Sequence, residues 1–199
     1  MAEVLVLLAP GAGAPSTSPW MQAWARRLRA LGPVVALDYP YALAGRRRPD
    51  RLPALIAAHR EALRAARQAH PGLPVVLAGK SMGSRVGCHV ALEEPGVRAL
   101  VCLGYPLVGA TGKVRDEVLL ALRTPALFVQ GTRDRLCPLD RLAAVRARMT
   151  APSALHVVEA GDHSLLATKA WLRAAGRTQD DVDAEVLRAV AAFIAAPGA

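Results

Sequence analysis

Six short apolar runs punctuate the chain, at Val4–Ala9, Val34–Asp38, Val75–Ala78, Ala99–Leu103, Ala126–Gln130 and His156–Glu159. Each is nearly continuous Val, Leu or Ala with little polar alternation, the pattern of parallel strands buried on both faces. Between them the apolar spacing switches to a helical period. Ser18 and Pro19 read as the cap and first residue of a helix with Trp20, Trp24, Leu28 and Leu31 on one face. Further helices are predicted over Pro53–Gln68, Gly83–Glu93 and Val114–Leu122, and over Asp140–Met149, which turns Leu142, Val145 and Met149 inward. The last begins at Thr178-Gln-Asp-Asp181, a capping-box-like start, and carries Val182, Val186, Val190, Phe193 and Ile194 at helical spacing. Residues 152–176 outside the sixth strand read as irregular. Strand-helix alternation of this kind predicts an α/β fold: one doubly wound, mainly parallel six-stranded sheet with helices on both faces. With no repeat or linker to divide it, the 199-residue chain reads as a single domain.

Composition changes this picture little. No run of 18 apolar residues is free of charge, and Glu3 stands where a secretory leader would carry a base, so neither a membrane span nor a signal segment is expected. Cys88, Cys102 and Cys137 are widely spaced and fall on core elements, which fits reduced thiols and a cytoplasmic protein. The net charge of +9 raises the question of nucleic acid. Only Lys80, Lys113 and Lys169 are lysines, and the arginines are scattered over Ala-rich helices with no nucleic-acid-binding motif, so nucleic acid is not expected as a partner.

The chemistry concentrates where the third strand ends. Gly79-Lys80-Ser81-Met82-Gly83, between an apolar strand and a helix, has the Gly-x-Ser-x-Gly form of a nucleophile elbow. A sharp turn lifts the Ser81 hydroxyl above the sheet, and the flanking residues must be small because backbone passes close by. Such a serine needs a base, and the base an orienting acid, in the chain order Ser, acid, His and at the C-terminal ends of strands. Asp134, after Gly131-Thr-Arg, and His163, after Gly161-Asp, meet both conditions. Asp140 reads instead as a helix-capping residue, Asp162 adjoins the histidine it would orient, and Asp38 precedes Ser81. His59, His70, His89 and His156 fall on helices, a helix end or within a strand. The Met82 amide, at a helix N-terminus, and the Ala12 amide, in the Gly-rich loop Ala9–Pro15, are the candidate oxyanion donors. Tyr39, Tyr41, Tyr105, Leu136 and Cys137 follow strand ends and are the candidate substrate rim. The Arg46-Arg47-Arg48 loop leaves the same edge and reads as a solvated loop, the alternative being a preference for anionic substrates. Gly79-Lys80-Ser81 lacks the upstream glycine of a phosphate-binding P-loop, and neither metal-ligand spacing nor a dinucleotide fingerprint is present. No cofactor and no metal are expected.

Taken together, Pro10-Gly-Ala-Gly13, Asp38-Tyr-Pro-Tyr41, Gly45-Arg-Arg-Arg-Pro-Asp50, Gly79-Lys-Ser-Met-Gly83, Gly104-Tyr-Pro-Leu107, Phe128-Val-Gln-Gly-Thr-Arg-Asp134 and Gly161-Asp-His-Ser164 resemble a compact α/β-hydrolase. More narrowly, they resemble the small hydrolase-like proteins related to the mammalian testis-expressed hydrolase-like protein, in the dienelactone-hydrolase-like superfamily. The resemblance spans nearly the whole chain and implies Ser81, Asp134 and His163 as a triad. Where the family usually has His-Gly in the oxyanion loop, this chain has Pro10-Gly11; a backbone donor needs no imidazole. The expected activity is that of a serine esterase on small or short-acyl esters. The alternative is a hydrolase-like binding module with an idle triad, since some relatives act as complex subunits.

Overall fold

A computed structural model describes residues 3–109 and 112–196. Its six strands are β1 (Leu5–Ala9), β2 (Val34–Ala36), β3 (Val75–Lys80), β4 (Val97–Leu103), β5 (Ala126–Gly131) and β6 (Ser153–Val158). All pair in parallel, in the order β2-β1-β3-β4-β5-β6. The helices are α1 (Pro19–Leu28), α2 (Pro40–Leu43), α3 (Leu52–Ala69), α4 (Met82–Glu93), α5 (Glu117–Ala121), α6 (Leu139–Arg146), α7 (Lys169–Ala174) and α8 (Gln179–Ala195). The chain winds outward from β1 in one direction to β2 and from β3 in the other. The switch point therefore lies between the C-terminal ends of β1 and β3, where open α/β sheets place their ligands.

Period-two alternation along each buried strand feeds two cores. Leu5, Leu7, Leu77, Leu100 and Phe128 face a layer closed by α3, α4, α5 and α6. Val6, Leu8, Val76, Val101 and Val129 face Met21 and Trp24 of α1 and Val182, Val186 and Val190 of α8. With both faces covered, alternation is invisible in a hydropathy pattern and the strands read as unbroken apolar runs. The edge strand β6 differs: it is only half-buried and begins three residues earlier than predicted, because Ser153 and Ala154 add little hydrophobic signal. The helix predicted over Val114–Leu122 is shorter, at Glu117–Ala121. Two short helices were not predicted: α7 arises in the segment read as irregular, and α2 in the stretch that follows the second strand. At the start of α8, Thr178 and Asp181 form the expected capping box. Ser18 takes the cap position of α1, but its hydroxyl makes no capping bond, and Asp140 falls in the first turn of α6 behind the cap residue Pro138.

His59 of α3 is completely buried, with Nδ1 3.2 Å from the Tyr39 hydroxyl and Nε2 without a partner. Burial pushes its pKa down to about 3. The unfolded chain binds a proton near pH 6.5 and the folded chain does not, so the stability this group confers is present above pH 6.5 and lost as pH falls toward 3. At 1.36 kcal/mol per unit, the loss from this residue is on the order of 4 kcal/mol. In urea unfolding between pH 6.5 and 3.5, His59→Gln should show a much flatter stability profile than the wild type, although it starts lower. Parallel profiles would show that His59 does not drive acid unfolding.

Candidate active site

Ser81, between β3 and α4, has φ 48° and ψ −114°, a region that non-glycine residues rarely occupy. The surrounding backbone holds it there. Its N–H donates to the Leu103 carbonyl at 3.1 Å, and its own carbonyl accepts from the N–H of Ser84 and Arg85 and from the Ser84 hydroxyl. A Cβ on Gly79 would lie 2.3 Å from the Ser84 nitrogen, and one on Gly83 2.5 Å from the Ala9 carbonyl oxygen. The elbow therefore requires glycine on both sides, as its pattern implied.

Two loops at the same sheet edge meet it. His163, after β6, places Nε2 2.8 Å from Ser81 Oγ and Nδ1 2.8 Å from Asp134 Oδ2, after β5. Those two loops pack so tightly that a Cβ on Gly131 would sit 2.2 Å from the Gly161 carbonyl oxygen. Both oxygens of the buried Asp134 carboxylate are engaged: Oδ2 also accepts from Gln130 Nε2 at 3.1 Å, and Oδ1 accepts from the Leu136 N–H at 2.9 Å. The rivals are placed elsewhere. Asp162 Oδ1 accepts from the Ser164 and Leu166 N–H groups and shapes the turn that carries His163. Asp38 accepts from both the N–H and the hydroxyl of Ser16, each at 2.6 Å, anchoring the loop after β1.

That loop lies against the serine, with the position of a Cβ on Gly11 only 3.6 Å from Ser81 Cβ. Ala12 lines the cleft, and Met82 is the first residue of α4, where N–H groups lack intrahelical partners. The cleft above Ser81 has a volume of about 400 Å³, and Trp20, Met21, Lys80, Leu136, His163 and Ser164 contribute to its walls.

Four of the five expected rim residues are not on the rim. Tyr39, Tyr41, Tyr105 and Cys137 are each 0 % exposed, and only Leu136, 40 % exposed, borders the cleft. The aromatic rings fold beneath the loops instead of lining them. Tyr39 bonds to His59, the Tyr41 hydroxyl accepts from the Gly13 N–H at 3.1 Å, and Tyr105 packs edge-on against Phe128 at 5.8 Å. Burial pushes the Cys137 thiol up to about 12. Tyrosine combines a large apolar ring with one polar atom, so its place in sequence does not distinguish a core anchor from a rim. The exposed Arg46-Arg47-Arg48 loop borders a separate hollow, with Arg46 paired to Asp50 at 2.8 Å.

Two cleft residues escaped the sequence reading. Trp20 packs against the core on the apolar face of α1, as its spacing predicts, and in addition walls the cleft: it sits one turn from Trp24, and its indole N–H donates to the Ser164 carbonyl at 2.9 Å. Lys80 is the last residue of β3 and 9 % exposed, with its ammonium donating to the His163 carbonyl and standing 5.5 Å from the Trp20 ring centroid. Burial pushes it down to about 8, while the carboxylates of Asp134 and Asp162 pull it back up. The sequence carries no signal for it, because Lys80 stands at a variable position of the elbow beyond the apolar run Val75–Ala78; only in the fold does its buried ammonium require nearby partners.

An α/β hydrolase domain model matches residues 2–195. The chain belongs to the α/β hydrolase family. Among solved structures, this α/β hydrolase is similar to an α/β serine hydrolase homologue from Coxiella burnetii, at 19% identity over 94% of this chain and 86% of that one, TM-score 0.74. It is also similar to a cold-adapted esterase from an Arctic intertidal metagenomic library (21% identity, 92% and 82% covered, TM-score 0.66). A third is Est1E from Butyrivibrio proteoclasticus, solved with ferulic acid bound (15% identity, 96% and 90% covered, TM-score 0.67). At these identities the likeness establishes the shared fold. Among the described residues, no helix of this α/β hydrolase is long and apolar enough to cross a membrane, and no cluster of His, Cys, Asp or Glu could hold a metal ion.

Proposed function

We propose that this α/β hydrolase is a serine esterase for small, short-acyl esters. The observation that carries the reading is the unbroken series Ser81 Oγ, His163, Asp134, with both links at 2.8 Å. His163 Nε2 accepts the Ser81 proton as Oγ attacks the ester carbonyl, and Asp134 holds Nδ1–H and stabilises the imidazolium. The Met82 and Ala12 amides take the oxyanion, each such donor contributing about 3 kcal/mol to the transition state. His163 then protonates the leaving alcohol, and water attacks the acyl-enzyme with His163 again as base.

The substrate class follows from the cleft. Only residues 104–125 separate β4 from β5, and α5 occupies part of them, so among the described residues no folded lid is inserted there. An open cleft removes few methylenes from water, each worth about 0.8 kcal/mol when fully buried. The specificity constant on p-nitrophenyl esters should therefore stop rising after a few acyl carbons and show no jump above the micellar threshold. A fluorophosphonate should label Ser81, located by peptide mass spectrometry. Rates that climb to long-chain esters would overturn the size assignment; absence of label on the folded protein would overturn the enzyme reading in favour of a hydrolase-like binding module. The shared motifs support kinship with the small hydrolase-like group, and the three buried free thiols support a reducing compartment such as the cytoplasm.

A further inference from the structure

Ser81 reaches its base through a loop that the local chain does not favour. Ala160 and Leu165, at either end of the turn bearing His163, have φ of 53° and 64°. Strained residues of this kind persist only where surrounding contacts hold them. Inside the turn, Asp162 bonds to the N–H groups of Ser164 and Leu166. Those bonds fix the shape of the turn but not its position relative to the serine.

Three side-chain donors from other elements bind successive carbonyls of that turn; one of them, Gln179 Nε2 of α8, donates to Leu165 O at 3.1 Å and lies far from the elbow. The Lys80 ammonium donates to His163 O, and the Trp20 indole N–H donates to Ser164 O. Lys80 immediately precedes the nucleophile; its carbon chain runs past Gly11 and its ammonium stands 5.5 Å from the Trp20 ring centroid. Space is reserved for this arrangement: a Cβ on Gly104 would lie 2.5 Å from His163 O and 3.3 Å from Lys80 Nζ. A methionine would fill much the same volume without burying a charge. What it would lack is a donor for the His163 carbonyl.

We propose that Lys80 is a positioning residue for the base: it ties the main chain of His163 directly to the nucleophile elbow and so sets the His163–Ser81 separation. Trp20 completes the clamp by covering the ammonium and holding the next carbonyl. The catalytic consequence rests on the esterase reading above, whereas the structural consequence does not. A displacement of about 1 Å at a reacting pair costs on the order of 100-fold in rate.

The test is Lys80→Met, read by two independent measurements. In hydrogen–deuterium exchange, amides of residues 161–166 should exchange roughly tenfold faster than in the wild type, with β3 and β4 unchanged. With p-nitrophenyl acetate, kcat should fall between about 10- and 100-fold while KM stays within about twofold. Lys80→Cys should behave alike, and aminoethylation of that cysteine, which rebuilds an ammonium at the same reach, should return both readouts most of the way. If the methionine variant does not fold, the cysteine variant before and after aminoethylation carries the test alone. Unchanged exchange in 161–166 would overturn the proposal, as would a loss confined to KM, which would make Lys80 a substrate contact. Should the wild type hydrolyse no ester, the esterase reading fails, and the exchange measurement still decides whether Lys80 holds the loop.

Discussion

Ser81→Ala is expected to lower kcat/KM for an activated ester by roughly 10⁴-fold or more while leaving the melting temperature within a few degrees of the wild type. The two halves of this expectation have separate physical sources. What holds residue 81 in place is main chain: its N–H on Leu103 and its carbonyl on Ser84 and Arg85. Alanine keeps the Cβ and therefore the same backbone strain, so the elbow should form as before. The hydroxyl, by contrast, has a single described partner, His163 Nε2. Its removal eliminates the attacking atom and leaves only the rate provided by oxyanion donors and substrate positioning. Steady-state kinetics alongside thermal unfolding separates the two effects. Undiminished turnover in a folded variant would remove Ser81 from the mechanism.

The parts of this molecule that were legible in sequence are those fixed by burial and by short-range covalent constraint. The four central strands β1, β3, β4 and β5 stood out because they are buried on both faces and carry few polar residues, whereas the half-buried edge strands β2 and β6 were located with less exact bounds. Ser81, Asp134 and His163 were legible because a parallel sheet converts the end of a strand into a known edge; residue order along the chain then becomes position along that edge. Other features depended on contacts between segments far apart in sequence. Tyr39 and Tyr41 became core residues because α2 turns them under the loop after β1, and the four residues of α2 lack a helical period. Trp20 faces the cleft because the start of α1 projects to the level of the serine, a matter of helix placement that periodicity cannot resolve. Lys80 reads as an ordinary variable position in the elbow until the loop after β6 folds onto it. The missed residues thus belong to the walls and supports of the site, whose identity is set by tertiary packing.

Asp134→Asn should cost nearly as much as loss of the serine, about 10⁴-fold in kcat, through a change of proton position and with little change of shape. The carboxylate accepts three hydrogen bonds, from His163 Nδ1, Gln130 Nε2 and the Leu136 N–H. An amide has one oxygen and one donor nitrogen to distribute among them. The Leu136 N–H lies two residues along the same turn and cannot rotate away, so the asparagine oxygen is expected to remain with it. The NH₂ group then occupies the former Oδ2 position, where it faces His163 Nδ1 and Gln130 Nε2. Gln130 can flip its amide, although its Oε1 already accepts from the Tyr105 N–H and that bond would be lost. His163 must then accept at Nδ1 and carry its proton on Nε2, the nitrogen that has to receive the Ser81 proton. The histidine would remain in place with the wrong tautomer and so would no longer act as a base. Nitrogen chemical shifts of His163 should report the switch directly, with Nδ1 moving to an unprotonated value at neutral pH. A variant that keeps Nδ1 protonated and retains wild-type kcat would show that Asp134 is not the orienting acid.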